Sequence, residues 1–267
     1  MEKLEYEKYR QKIQEFCLMD DIFMSRVFDE NIECTELILR IILDDPTITV
    51  EEVHTQREIK NLLGHSLQLD IIARSADNDK FNVEIQRDDR GADAKRARYH
   101  SSVIDSNTLA KGEDYGTLPE TYVIFITEKD VLKAGKPLYH ADRIVAETGE
   151  PLGDGAHIIY VNGSYRDESP IGKLMHDFSC QNASDMYYKE LAERVSYYKD
   201  DSKGAGVMSN VMEDLIRERV EIHDEERNKE IILNMKKSGK LSDEEIADYL
   251  NLSVEEVKKL ELEEALV

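Results

Sequence analysis

Two short alternating runs, LQLDIIAR and KFNVEIQ, carry one acid each, Asp70 and Glu84, and are separated by the turn-rich stretch Ser75 to Asp79. Alternation with period two and a Ser, Asp and Asn turn predict a β-hairpin. If the loop is Ala76 to Asn78, the register sets Asp70 across from Glu84 and Gln68 across from Gln86. Opposed side chains have Cβ atoms about 4.5 to 5.5 Å apart, and two like charges at that spacing destabilise a sheet. The pair therefore asks for a compensating cation or for a raised pKa on one partner. A hard divalent ion such as Mg2+ meets that demand, since it is held by one or two carboxylates, waters and a substrate phosphate oxygen. Gln86 points to the same side as Glu84 and can offer its amide to a phosphate or to an attacking water, so the chemistry in view is metal-dependent phosphodiester hydrolysis. The same spacing also suits two solvated carboxylates on an exposed sheet face.

These residues need a frame. ECTELILRIILD places Leu37, Ile38, Ile41 and Ile42 at helical spacing before Pro46, which predicts a helix over about 33–44 with that stripe buried. Residues 50–59 loosen toward a polar strand ahead of the hairpin. From about Asp93 to Lys111 the chain lacks Gly and Pro and stops at Gly112, as a helix with a glycine cap would. TYVIFITE then predicts a strand buried on both faces, with further strands near 142–147 and 157–161. After Ser169 the pattern turns helical, with a long helix between about Val207 and Lys237. KLSDEEIADYLNLSVEEVKKLE follows with two capping boxes, Ser242 with Glu245 and Ser253 with Glu256, hence two short helices. The class is α/β with a helical C-terminal third. The expected division is a domain over 1–200 and a helical region over 201–267.

Asp70, thirteen intervening residues and then Glu84-Ile85-Gln86 resemble the PD-(D/E)XK nuclease superfamily, and within it the Rpn-type recombination-promoting nucleases, also called PD-(D/E)XK family transposases. FNVEIQ, KRARYHSSVIDSNTLAKGEDY, LPETYVIFITE and the late IADYLNLSVEEVKKL agree with that resemblance, which covers roughly Asp20 to Val161 well. It implies a restriction-endonuclease-like mixed sheet flanked by helices, Asp70 and Glu84 as metal ligands, and Gln86 where the superfamily's usual lysine stands. A lysine supplies positive charge to the developing phosphorane, whereas a neutral amide can only hydrogen-bond. The superfamily also often places an acid on its first core helix. Glu33 and Glu36 are the candidates; Glu33 is preferred because it stands four before Leu37, while Glu36 stands four before Arg40 and suits a surface ion pair.

Lys95, Arg96 and Arg98, with Arg87 and Arg90 upstream, form the densest basic cluster near the acids. On a helix Lys95 and Arg98 share a face, with Arg96 and Tyr99 beside them, an arrangement suited to phosphate contact and stacking. The same residues can instead pair with Asp88, Asp89 and Asp93 on a solvated face. Fifty-seven acidic against 35 basic residues leave a net charge of −22, which disfavours general coating of DNA, because non-specific affinity comes mainly from Lys and Arg. From Asp201 onward the net is −8, so no tail carries the imbalance. The three cysteines, Cys17, Cys34 and Cys180, have no C-x-x-C spacing and predict reduced, buried thiols. The charged N-terminus and the lack of any long apolar run predict a cytoplasmic protein without a membrane partner. No zincin, P-loop or nucleophile-elbow motif occurs. The helix pair has helix-turn-helix spacing, but Val254-Glu255-Glu256 puts acid where groove-entering residues sit, so packing or homo-oligomerisation is its expected role. The leading expectation is a Mg2+-dependent DNA endonuclease in which Mn2+ can substitute. Its rival is a nuclease-fold protein of weak or absent activity that binds DNA or protein.

Overall fold

In the computed structural model of the chain, residues 10–59, 67–87, 92–238, 241–250, 253–255 and 257 are described. The chain divides into two compact units, Met1–Met208 and Ser209–Val267. The first is a mixed sheet flanked by helices, the architecture that the resemblance implies.

Its elements run α1 (Asp21–Phe28), α2 (Ile32–Leu43), β1 (Val50–Ile59), β2 (Leu67–Ser75), β3 (Lys80–Gln86), α3 (Ala94–Thr108), β4 (Thr121–Thr127), β5 (Leu138–Ala141), β6 (Ala156–Asn162), α4 (Pro170–Ser179) and α5 (Lys189–Lys199). The six strands lie in the order β1-β2-β3-β4-β6-β5. β1, β2 and β3 form an antiparallel meander, β3, β4 and β6 are parallel, and β5 closes the far edge antiparallel to β6. Parallel neighbours need a long crossover, and α3 supplies it between β3 and β4. The parallel strands at the centre are apolar on both faces: Val123, Ile124, Phe125 and Ile126 are all buried.

Side-chain oxygens start the helices. Asn31 accepts from the Cys34 N–H at α2, Asp93 from Lys95 N–H at α3, and Ser169 from Gly172 N–H at α4, where Pro170 takes the first position. The stripe of α2 differs from expectation. Cys34, Thr35, Ile38, Leu39 and Ile42 are buried while Leu37 and Ile41 are only partly so, because a helix this apolar offers two overlapping stripes and the one that meets β1, α4 and α5 wins. DIFMSRVF, too short to show a period, forms α1 and buries Phe23, Met24, Val27 and Phe28. The strand expected near 142–147 is displaced to Leu138–Ala141; Ile144 makes only a single bridge, to Pro151. α3 ends at Thr108, and Gly112 takes its left-handed φ of 93° in the turn beyond. The three cysteines are free and buried.

The 37-residue α6 (Ser202–Ser238) begins five residues earlier than expected. Near its start Gly204 permits a close approach: a Cβ there would collide with the Tyr197 carbonyl oxygen. In the second unit α7 (Asp243–Leu250) opens with the expected capping box, Glu245 N–H donating to Ser242 Oγ at 3.3 Å and Ser242 N–H to Glu245 Oε2 at 2.7 Å. Ile232, Ile246, Ala247 and Val257 form a small core there. The second capping box, with Glu256, lies outside the described residues, as does Arg90. Among the described residues no helix is long and apolar enough to cross a membrane.

Candidate active site

The hairpin closes with Ser75 N–H on the Asp79 carbonyl and Asn78 at φ 71°, so the loop is Ala76 to Asn78 as expected. The ladder runs Arg74–Lys80, Ala73–Phe81, Ile72–Asn82 and Ile71–Val83, and there it stops. At the next position side chains replace backbone. The Ile85 N–H donates to Asp70 Oδ2 at 2.8 Å, and the Asp70 N–H points to Glu84 Oε1 at 3.4 Å. Each strand's freed N–H thus faces the other strand's carboxylate, and the two acids are held beside one another. Because the ladder ends here, Gln68 does not pair with Gln86; its amide donates instead to Gln56 Oε1 on β1 at 2.6 Å.

Burial makes this arrangement costly. Glu84 sits on a central strand, with no exposed surface, beneath α3. That helix docks through Ala97, His100, Ser101 and Ile104, and its apolar members join Val123, Phe125 and Tyr160 in one cluster. Docking brings Arg96 Nη2 to 3.0 Å from Glu84 Oε2 and His100 Nδ1 to 3.6 Å from Oε1. Burial raises the Glu84 pKa, and the neighbouring Asp70 raises it further, against the opposing pull of Arg96. Asp70 is raised by burial and by Asp21, offset partly by its bond from Ile85 and by Arg96. His100 is pushed down to about 4 by burial and Arg96. Since Arg96 Nε can only donate, at 3.2 Å, His100 Nε2 must accept, and a neutral ring then carries its proton on Nδ1. The Asn82 amide lies 3.1 Å from that Nδ1, and only its oxygen, otherwise without a partner, can accept the Nδ1 proton.

The sequence candidates fall into three groups. Asp70, Glu84 and Arg96 come together. Gln86 ends β3 partly buried, one strand position of the same face beyond Glu84. Lys95 and Arg98 are exposed on α3 and Tyr99 is partly buried, whereas Arg96 turns in toward Glu84 and away from an outward face. Arg87 pairs with Asp20 at 3.0 Å. Glu33 is exposed in the first turn of α2, beside a groove lined by Glu190, Arg194 and Tyr197. Glu36 bonds Arg40 at 3.0 Å and caps the Val50 N–H at 2.8 Å. The acid that a helix brings toward Asp70 is Asp21, at the start of α1, whose Oδ1 accepts from Gln56 Nε2 at 2.6 Å. Gln56 also lowers the Asp70 pKa by hydrogen bonding, so one amide serves both acids.

Asn82, His100 and Asp21 were not singled out from sequence. Asn82 was legible, because it shares the Glu84 face by simple alternation. His100, four after Arg96, was legible as part of one helix face. Asp21 carried no signal, because α1 itself was too short to read.

A family model, PD-(D/E)XK nuclease family transposase, matches residues 29–165. No curated protein and no solved structure matches. The matched span holds the hairpin, α3 and all six strands, and the chain belongs to the PD-(D/E)XK nuclease family transposases.

Proposed function

We propose that the protein is a metal-dependent DNA endonuclease, with Asp70 and Glu84 as ligands of Mg2+ or Mn2+. The observation that carries this reading is the pair itself: Glu84 buried and Asp70 partly buried, each bonded to the other's strand, both raised in pKa, with the Arg96 guanidinium against Glu84. A fold tolerates such a pair where a cation resolves it. Oxygen donors of this kind fit a hard divalent ion, and Asp21, through Gln56, adds a third carboxylate nearby. Such an ion would polarise a phosphate oxygen and acidify a water at the site.

The chain's own residues do the rest. Backbone N–H groups fix the orientation of Asp70 and Glu84. Gln86 orients the attacking water or a phosphate oxygen through its amide. Arg96, with more than a third of its side chain exposed, puts positive charge beside the pair, where a lysine at position 86 would have supplied it. Burial, together with Arg96, keeps His100 neutral, so that its imidazole does not compete as a cation for the acids. Lys95 and Arg98 grip the phosphate backbone from the open face of α3. DNA recombination is the process that such cutting would serve.

The test is nicking or linearisation of supercoiled plasmid with Mg2+, with Mn2+ and with EDTA. Cleavage by the parent that needs the ion and is lost in Asp70→Asn and Glu84→Gln is the expected result. Cleavage that survives both substitutions would move the site elsewhere. The second reading, a nuclease fold that binds DNA or protein without cutting, is favoured by the neutral Gln86 and the net charge of −22. It is selected if the parent binds yet stays inert with either ion.

A further inference from the structure

At the C-terminal end of α4, far in sequence from the hairpin, three unlike ligand atoms converge. His176 Nδ1 lies 3.2 Å from Asp177 Oδ1 and 3.4 Å from Cys180 Sγ. All three ligand atoms fall within 4.8 Å of one another. Helical spacing explains the placement: His176 and Cys180 are one turn apart, and Asp177 faces the interior beside them.

Hydrogen bonding serves only part of this convergence: Nδ1 can carry one proton, for either the carboxylate or the sulfur, and the thiol's own proton reaches the Asp185 carbonyl at a long 3.9 Å. A dication placed between the three atoms satisfies all of them at once.

The distances suit such an ion. Zn2+ bonds nitrogen and oxygen at about 2.0 to 2.2 Å and sulfur at about 2.3 Å, so tetrahedral ligand atoms stand about 3.3 to 3.6 Å apart. The His176 separations lie close to that range. Asp177 is prepared as a ligand: it is fully buried, and its two oxygens accept the backbone N–H groups of Tyr187 at 2.9 Å and Tyr188 at 2.8 Å. Each oxygen keeps a second lone pair, and outer partners of this kind orient a ligating carboxylate. The His176 ring is partly exposed, packed edge-on against Tyr187 with centroids 4.9 Å apart, which leaves a route for an ion to enter.

We propose that His176, Asp177 and Cys180 form a second metal site, selective for a borderline-soft divalent cation such as Zn2+, with water completing the coordination. Thiolate and imidazole donors separate it from the all-oxygen pair at Asp70 and Glu84, which suits Mg2+. Its role is a staple: through Asp177 it locks the end of α4 to the chain entering α5.

Co2+ is the probe, because a Co2+–thiolate bond gives a near-ultraviolet charge-transfer band that no carboxylate site produces. Titrated into the full chain after EDTA treatment and dialysis, Co2+ should raise this band to saturation at one equivalent. Zn2+ should abolish it and excess Mg2+ should not. The band should persist in Asp70→Asn, vanish in Cys180→Ser and weaken at least about tenfold in affinity in His176→Ala, the smallest loss expected even for an outer partner. Zn2+ should raise the unfolding midpoint of the parent but not that of Cys180→Ser. Absence of the band in the parent, its survival in Cys180→Ser, or an undiminished affinity in His176→Ala overturns the site. If Cys180→Ser does not fold in EDTA, His176→Ala alone decides, since its partly exposed ring can be removed without opening the core.

Discussion

Glu84 is a carboxylate that burial and the neighbouring Asp70 drive toward the neutral form and Arg96 toward the charged one, and the first two outweigh the third. Both acids of the pair have raised pKa values, Asp70 about 6 and Glu84 about 8. In the metal-free protein the stability they contribute is full below their unfolded values and is lost as pH rises through the folded ones. His100 acts in the other sense. Its pKa is lowered from 6.5 to about 4, so its contribution is present above 6.5 and lost as pH falls. Above about pH 7 only the last proton of the acid pair is still at stake. In EDTA the unfolding midpoint of the parent should therefore fall from about pH 7 to pH 9, and Glu84→Gln should flatten that slope, each 1 kcal/mol showing as roughly 2 to 4 °C. An equal slope in both proteins would mean that Glu84 is already ionised at neutral pH. Gln86 separates the two functional readings at the same scale. Gln86→Ala should lower turnover by about 10², or roughly 2.7 kcal/mol, with DNA affinity nearly intact, because a group that orients the nucleophile acts chiefly in the transition state. Gln86→Lys, which restores the superfamily's charge, should preserve or raise the rate. Inert parent, Ala and Lys proteins that all still bind DNA would favour the binding module.

The hairpin and α3 together position that chemistry, and they differ in how well the sequence foretold them. Alternation in LQLDIIAR and KFNVEIQ, with a turn of Asp and Asn between, leaves one register that buries Ile71, Val83 and Phe81, so Asp70 and Glu84 were legible as neighbours before any fold was known. The end of the ladder at Asp70 was not legible, because it depends on carboxylates outcompeting the backbone for two N–H groups, a tertiary balance that no period encodes. α3 was legible as a helix, but its facing was not: KRARYH offers basic residues all round, and only docking through Ala97 and His100 turns Arg96 inward and leaves Lys95 and Arg98 outside. Glu33 shows the opposite failure. Its place in line with Leu37 rested on a stripe that the packing of α2 shifted, and Asp21, on a helix of eight residues, came to Asp70 instead. This division of α3 has a consequence for binding. Lys95→Ala with Arg98→Ala should weaken DNA affinity across sequences and flatten its salt dependence by roughly 0.9 log units per lost phosphate contact, leaving the metal response of stability unchanged. An unaltered salt slope would return both residues to a solvated face.

At the scale of the whole chain, a net charge of −22 opposes approach to DNA, so productive encounter depends on the few cations of α3 and should be steeply weakened by salt. The second unit is net acidic as well: α7 opens with Asp243, Glu244 and Glu245 in its first turn. That composition argues against phosphate contact there and for association through apolar surface. Its own core is small, with Ile232, Ile246, Ala247 and Val257 buried and Met235, Leu250 and Val254 packed at their margin, and a cluster of that size is marginal as an independent fold. A second copy of the same helices would enlarge it, and twofold pairing of identical surfaces is the commonest way for a soluble chain to do so. The place to cut is set by the first unit, which extends to Met208 and buries Ala205 and Met208 in its core. Light scattering on the full chain should therefore give twice the monomer mass or more, and on a chain ending after Met208 a monomer with its sheet intact by circular dichroism. Equal masses for the two proteins would remove self-association from the second unit.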